Sequence, residues 1–412
     1  SAPSPCLPHD HLYPSPMRTL LVLLTLTTTL PGAKRLELGF PQFEERVQVV
    51  FPENYDPSKK WPAVFYYHGT NGKPTTELIT AHTGGQDWFV VGLTYVQRGP
   101  FTYSEETLQE EWRILHSVRK HLATKWNLDS KRVYVAGFSK GGWMSGFMLQ
   151  RDRDLAGAII LGAGHIHSVH QTPRKFPTRK PLFVGVGRKD GNYPFSLRAL
   201  TFYRQLGVQT TFDTWHEHGH AFPAAGSPAL KQWLAIEAHP RADHKPAAKA
   251  WMEERIDKIK GLPDLVDQWV TMRDLEATPY LRVLGDTWKT KIKDQIADLE
   301  MGGRVAAEAK ALAEHRALLR KEMGKHTDKL YQALLGAYLK LSETHSGTRQ
   351  AEIALGDYER VKRLLQHFRE QDKIAKEKER DNPFPPADEK ENNPFPKLPT
   401  KLPVIPRNPL IR

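Results

Sequence analysis

Between residues 34 and 240 the chain repeats one pattern: a short run of β-branched and aromatic residues, then a longer stretch with apolar residues at helical spacing. The short runs are Glu45–Phe51, Pro62–His68, Phe89–Tyr95, Arg132–Ala136, Gly157–Leu161, Pro181–Val186 and Gln209–Trp215. Pro62–His68 (PAVFYYH) is continuously apolar, as suits a strand covered on both faces. Glu105–Trp126 places Leu108, Trp112, Leu115, Val118 and Leu122 at helical spacing. Further helices are expected after Ser139, near Ser196–Leu206 and over Pro228–Ile236. The alternation predicts an α/β fold, a three-layer sandwich in which helices cover both faces of a mostly parallel sheet.

From 241 to 376 the strand-like runs stop. Glu, Lys, Arg, Ala and Leu dominate, and Gly261-Leu262-Pro263, Gly302-Gly303 and Ser346-Gly347 read as turns, so an all-α helical region is expected. Tyr331–Ala354 resembles one helix–turn–helix unit of a tetratricopeptide-type repeat, but no repeat period accompanies it. From 377 to 412 Lys, Glu, Asn and Pro take over, and Asn382-Pro383-Phe384-Pro385 recurs at 393–396. Such a composition buries too little apolar surface to order itself, which predicts a disordered, Pro-rich tail. At the other end, Met17-Arg18 precedes the apolar run Leu20–Leu30 and Pro31-Gly32-Ala33. This has the layout of a secretory signal peptide, so residues 1–33 are set apart as an N-terminal extension and a secreted or periplasmic location is expected. The run is too short and too Thr-rich for a stable membrane span.

The charge balance excludes little but points away from nucleic acid. The formal charge is +12, yet the basic residues are interspersed with Asp and Glu over long helical stretches. A nucleic-acid binder gathers them on one face with aromatics between, so the charge reads as a solvated helical surface. The single cysteine, Cys6, allows neither a disulfide framework nor a cysteine nucleophile.

The chemistry is concentrated in Gly137-Phe138-Ser139-Lys140-Gly141-Gly142, directly after the run RVYVA and before a helix-compatible stretch. A serine nucleophile must stand out on a tight strand-to-helix turn, with small residues on either side where a larger side chain would collide with strand or helix. A serine hydroxyl also needs a base, and the base needs an orienting acid. Asp190 follows the run PLFVGVG and His220 follows QTTFDTW, in the chain order serine, acid, histidine. His220 is chosen over His216 and His218 because Gly219 permits a sharp loop before it. His218 is the alternative, and Asp213 is a rival acid lying inside a strand run. Acyl transfer also needs donors for a developing oxyanion. The backbone N–H groups of Lys140, after the nucleophile, and Thr70, in the loop His68–Gly72, are assigned to that role. His165, His167 and His170 have spacing that a metal could use, but no carboxylate accompanies them and no metal site is assigned. Trp143, Tyr193 and Phe222 are open between lining an acyl pocket and filling the core.

The strings HGTNG, GFSKGG, GRKDGNYP and EHGHAF resemble, in kind and order, the α/β-hydrolase superfamily and its compact serine esterases. These are the phospholipase/carboxylesterase, dienelactone-hydrolase-like and polyhydroxyalkanoate-depolymerase-like groups. The resemblance covers roughly residues 40–240. It implies a Ser139–Asp190–His220 triad, an acyl-enzyme intermediate and no cofactor, with a small-molecule or polymeric ester as substrate. The short stretch before Asp190 leaves little room for a large cap, and the appended helices depart from the family pattern. Two other readings stand beside it: a serine peptidase of the same fold, and a non-catalytic interaction protein whose helical region binds an unknown protein or surface. The organisation expected is therefore an extension (1–33), a catalytic domain (34–240), a helical region (241–376) and a tail (377–412).

Overall fold

The computed structural model describes residues 24–26, 34–96 (without 42 and 44), 105–165, 180–322 (without 216) and 327–380. The tail from 381 onward and most of the N-terminal extension lie outside the described residues.

The strands, in chain order, are β1 (Leu24–Leu26), β2 (Arg35–Leu38), β3 (Val47–Val50), β4 (Trp61–Tyr67), β5 (Phe89–Leu93), β6 (Leu128–Phe138), β7 (Gly157–Leu161), β8 (Pro181–Gly187) and β9 (Gln209–Trp215). They form one sheet in the order β1-β2-β3-β5-β4-β6-β7-β8-β9. From β5 to β9 every pairing is parallel, while β3 is antiparallel to both of its neighbours, β2 and β5. Three residues of the run read as a leader, Leu24–Leu26, pair antiparallel with β2.

Between the strands lie α1 (Glu77–Thr83), α2 (Glu105–Trp126), α3 (Lys140–Arg151), α4 (Tyr193–Gln205) and α5 (Pro228–Glu237). Successive side chains on a strand point to opposite faces, and the core divides accordingly. Ala63, Phe65, Tyr67, Val133 and Val135 enter one apolar cluster with Leu115 and Val118 of α2, Met144 and Phe147 of α3, and Phe202 of α4. Val64, Tyr66, Tyr134 and Ala136 enter the other, with Ile79 of α1 and Trp233 of α5.

The helical region continues as α6 (His244–Lys260), α7 (Leu265–Glu276), α8 (Pro279–Leu284), α9 (Asp286–Glu300), α10 (Gly303–Glu322), α11 (Asp328–Thr344) and α12 (Arg349–Arg380). The expected turns at Gly261, Gly302-Gly303 and Ser346-Gly347 each separate two helices. Two further breaks occur. Thr278 caps α8 through its hydroxyl with Pro279 as the first helical residue, and Gly285 sits at φ 85°, ψ −165°, which only glycine adopts readily. Tyr331–Ala354 is a helix–turn–helix, as expected, although α12 runs on to Arg380.

The apolar core does not stop at residue 240. Trp251, Met252 and Ile256 of α6, Trp269 of α7 and Tyr280 of α8 belong to the same cluster as Trp233 and the sheet face. A second tie is ionic. Arg198 of α4 meets Glu322 of α10 at 3.0 Å, and Arg360 of α12 donates to both oxygens of Glu322 at 2.7 and 2.8 Å and to Asp357. His315 meets Asp357 at 2.7 Å, and the Tyr338 hydroxyl donates to Glu322. All these groups are buried, so part of the charge expected on a solvated helical surface is internal. Removing one partner strands the others without water. Glu322→Ala, which leaves two buried guanidinium groups short of an acceptor, is expected to lower stability by about 3–5 kcal/mol, read from urea unfolding curves.

Candidate active site

Ser139, Asp190 and His220 follow β6, β8 and β9. These strands are parallel, so their following loops emerge at one edge of the sheet, the edge where ligands bind in such folds. Three features of the chain make the loops meet.

The first is the turn at Ser139. Its φ of 56° and ψ of −119° put a non-glycine residue where few can sit. The flanking glycines make the turn possible. A Cβ on Gly137 would lie 2.2 Å from the Gly141 backbone, one on Gly141 would lie 1.9 Å from the Tyr67 carbonyl oxygen, and one on Gly142 would lie 2.7 Å from the Leu161 oxygen. The Ser139 N–H donates to the Leu161 oxygen at 2.8 Å, and the Ser139 carbonyl accepts from Trp143 N–H at the start of α3.

The second is the zipper between the acid loop and the histidine loop. Arg188 N–H donates to the Trp215 oxygen at 2.9 Å, and Lys189 N–H donates to the His218 oxygen at 2.9 Å. A Cβ on Gly187 would fall 2.3 Å from the His218 and Gly219 oxygens, so this approach depends on glycine. Asn192 N–H donates to Asp190 Oδ1 at 2.8 Å and holds the carboxylate in place.

The third is a brace behind the histidine loop. Ser227 donates its hydroxyl to Asp213 Oδ2 at 2.6 Å, and Trp215 donates its indole N–H to the same oxygen. Ser227 N–H donates to His82 Nε2 at 2.9 Å, while His82 Nδ1 lies 2.7 Å from the Leu78 oxygen. The Phe222 ring packs edge-on against His82 and Trp215. Asp213, the rival acid, therefore shapes the loop and does not touch His220. His82 accepts through one nitrogen and donates through the other, which requires the neutral ring. Burial lowers its pKa. A depressed histidine binds its proton more weakly in the folded chain than in the unfolded one. Its stabilisation is then complete above about pH 6.5 and is lost as pH falls below that. Denaturant midpoints measured from pH 7.5 to 5 are expected to fall. The slope should be shallower in His82→Asn but not flat, because burial lowers His68 and His121 in the same direction.

The outcome is a continuous relay. His220 Nε2 lies 2.8 Å from Ser139 Oγ, and His220 Nδ1 lies 2.9 and 3.0 Å from the two Asp190 oxygens. The Asp190 side chain is 1 % exposed and that of His220 is 44 % exposed. The acid is thus shielded while the imidazole faces the solvent-accessible side. An ionised carboxylate only accepts, so Nδ1 carries the proton and Nε2 is left to accept from the serine hydroxyl. His218, the alternative base, contributes its backbone carbonyl to the zipper.

The assigned oxyanion positions flank the serine. Gly69 lies against it, since a Cβ there would be 3.8 Å from Ser139 Cβ, and Thr70 follows, exposed. Among the described residues no carbonyl accepts the Thr70 N–H. Lys140 is the first residue of α3, at the helix end whose dipole favours negative charge.

Tyr95 is a site residue that no sequence motif marks. Its hydroxyl donates to the His68 oxygen at 2.6 Å, and Lys140 Nζ rests 4.0 Å from its ring centroid. Burial lowers the Lys140 pKa, against the pull of Glu111. Tyr95 and the Lys140 side chain thereby clamp the loop that carries Thr70. The one available signal is that Tyr95 closes the run FVVGLTY, at the same sheet edge as the serine.

The three open aromatics are occupied in packing. Trp143 stacks edge-on with Phe195, Phe222 packs as above, and Tyr193 lies under the Arg188 guanidinium. His165 is buried with its ring 3.7 Å from that of Phe202. His167, His170 and His216 lie outside the described residues. Among the described residues no three His, Cys, Asp or Glu side chains gather as a metal site, and no helix is long and apolar enough to cross a membrane.

Strand order, the antiparallel β3, the strained serine turn and the order serine, acid, histidine along the chain define an α/β-hydrolase fold with a helical region appended. No family model and no curated protein matches the chain. Solved structures similar to it include acetyl xylan esterase 1 from Thermoanaerobacterium sp. JW/SL YS485, at 13 % identity over 54 % of this chain and 89 % of that one, TM-score 0.40. The fluorophosphonate-binding serine hydrolase F of Staphylococcus aureus is similar at 14 % identity over 51 % of this chain and 100 % of that one, TM-score 0.37. The acylaminoacyl peptidase of Pyrococcus horikoshii is similar at 14 % identity over 52 % of this chain, which spans only 40 % of the peptidase, TM-score 0.37.

Proposed function

We propose that the protein is a serine hydrolase that cleaves carboxylic esters through Ser139, His220 and Asp190. The observation that carries this reading is the relay itself: a serine at a strained turn, 2.8 Å from an imidazole nitrogen whose other nitrogen is held by a buried carboxylate. His220 takes the Ser139 proton as Oγ attacks the ester carbonyl, and the Thr70 and Lys140 N–H groups stabilise the oxyanion. The tetrahedral adduct collapses, the C–O bond to the alcohol breaks, and His220 returns the proton to the departing alkoxide. Water then attacks the acyl-enzyme with His220 again as base, releasing the carboxylic acid and restoring Ser139.

The test is a substrate panel on the full chain: p-nitrophenyl esters of increasing acyl length, acetylated oligosaccharides, a soluble polyester oligomer and peptide anilides. Ester turnover that disappears in Ser139→Ala is the expected result. Turnover of anilides above esters would replace the esterase reading with the peptidase one, and turnover of neither would remove the enzyme reading.

A further inference from the structure

Away from the serine, a cavity of about 310 Å³ opens between α4 and β9 on one side and α6, α7, α10 and α12 on the other. That is the size range of small-molecule sites. Neither Ser139 nor His220 lines it. Its lining mixes apolar side chains, Leu200, Ile259, Val270 and Leu319 among them, with seven lysine and arginine side chains and three carboxylates.

The three carboxylates are already engaged. Asp274 meets Arg204 at 3.0 Å, Asp267 meets Arg349, and Asp213 holds Ser227 and Trp215. Outside the lining, Glu254 pairs with Lys258 and Glu300 with Arg273. What remains is a cationic surplus. Arg188 lies over the Tyr193 ring, and Arg255 lies over the Trp251 ring. Arg316 enters no ion pair among the described residues. Burial depresses its pKa to about 10, and the neighbouring charges of Arg204 and Arg273 push the same way. Asp274 and Glu276 act against this, although Asp274 Oδ1 is bonded to Arg204 at 3.0 Å and Glu276 Oε2 lies 3.8 Å from Arg273. Two lining groups also keep buried nitrogens without a hydrogen-bond acceptor, Arg255 Nη2 and Arg273 Nε. Buried donors and charges of one sign without partners are costly, and guanidinium groups are well matched to carboxylate and phosphate oxygens.

We propose that this cavity binds a small organic anion, a carboxylate or phosphate head on an apolar body, with the head against Arg316 and Arg255 and the body along Leu200, Ile259, Val270 and Leu319. The site is independent of the ester-hydrolase reading and stands whether or not Ser139 is a nucleophile. It joins the two parts of the chain, because its lining comes from both, and Arg188 places it two residues from Asp190.

The experiment uses the full chain with sodium octanoate and octyl phosphate as probes, and octylamine and octanol as cationic and neutral molecules with the same tail. Calorimetric titration and thermal melting are the readouts. At least one anion is expected to bind and raise the melting temperature, and whichever binds names the head group. Octylamine and octanol are expected to do neither. Arg316→Met should weaken anion binding about tenfold or more, and Arg316→Lys less. Arg255→Met gives the same reading independently if Arg316→Met does not fold, with circular dichroism as the check. Failure of both anions to bind would overturn the proposal. So would equal binding of the amine or alcohol, or undiminished anion binding in the folded arginine variants, which would place the anion elsewhere.

Discussion

The paired substitution Ser139→Ala/His220→Ala is expected to hydrolyse p-nitrophenyl acetate no more slowly than either single substitution. Each single change should already cost about 10⁴- to 10⁶-fold in kcat. The reason is the geometry of the relay. His220 Nε2 lies 2.8 Å from Ser139 Oγ, so on the proposed mechanism the two groups serve one proton transfer, and removing either should abolish the step the other serves. Two groups that acted separately would show multiplied losses, so the double substitution tests the unit as well as its members. The residual rate above the uncatalysed reaction should come from the N–H groups beside the serine, which neither substitution touches.

Gly141→Ala is expected to destabilise the whole chain by about 4 kcal/mol or more, or to prevent folding, well before any effect on chemistry is measurable. The added Cβ would stand 1.9 Å from the Tyr67 oxygen, 2.6 Å from the Tyr67 carbonyl carbon and 3.0 Å from the His68 oxygen. Those are backbone atoms at the end of a central strand, with neighbours bonded on both sides, so relief requires moving β4 or α3. Gly336 provides the comparison. It sits exposed in α11 with nothing within 4 Å of a built Cβ, and Gly336→Ala is expected to be neutral or to stabilise by about 0.5–1 kcal/mol. Urea unfolding of the two variants side by side separates collision from the general effect of adding a methyl group.

The parts of this architecture that were legible in the sequence are those set by local rules. The fully buried strands are apolar runs, and β4, β5, β7 and β8 lie where those runs do, while β9 follows the mixed, β-branched run QTTFDTW. The serine turn is written in its glycines, because the collisions at Gly137, Gly141 and Gly142 occur within a few residues or with the adjoining strands. The freedom of Gly219 favours His220 over His218, and the structure points the ring of His220 toward Ser139. Short elements without a clear period leave no such signal: β2, four residues between β1 and β3, and α1, only seven residues long.

What the sequence could not show is where long helices face. The composition change near residue 240 suggests a break, yet Trp251 and Trp269 pack into the same cluster as Trp233. Arg198, Glu322 and Asp357 look like ordinary surface charge along the chain, and only the fold buries them against one another. The same holds for Tyr95, whose value lies in a contact with His68, 27 residues away. The cavity that collects Arg188, Arg255 and Arg316 draws on elements spread over half of the chain. Such long-range convergence leaves no periodic trace.

The hydroxyl at position 139 can be interrogated chemically without knowing the natural substrate. Intact-mass and peptide mapping after treatment with a fluorophosphonate should show one adduct, on Ser139. It should be absent when the chain carries Ser139→Ala and strongly slowed when it carries His220→Ala. An unmodified Ser139 in folded protein, or labelling at the same rate without His220, would contradict an activated serine at this site.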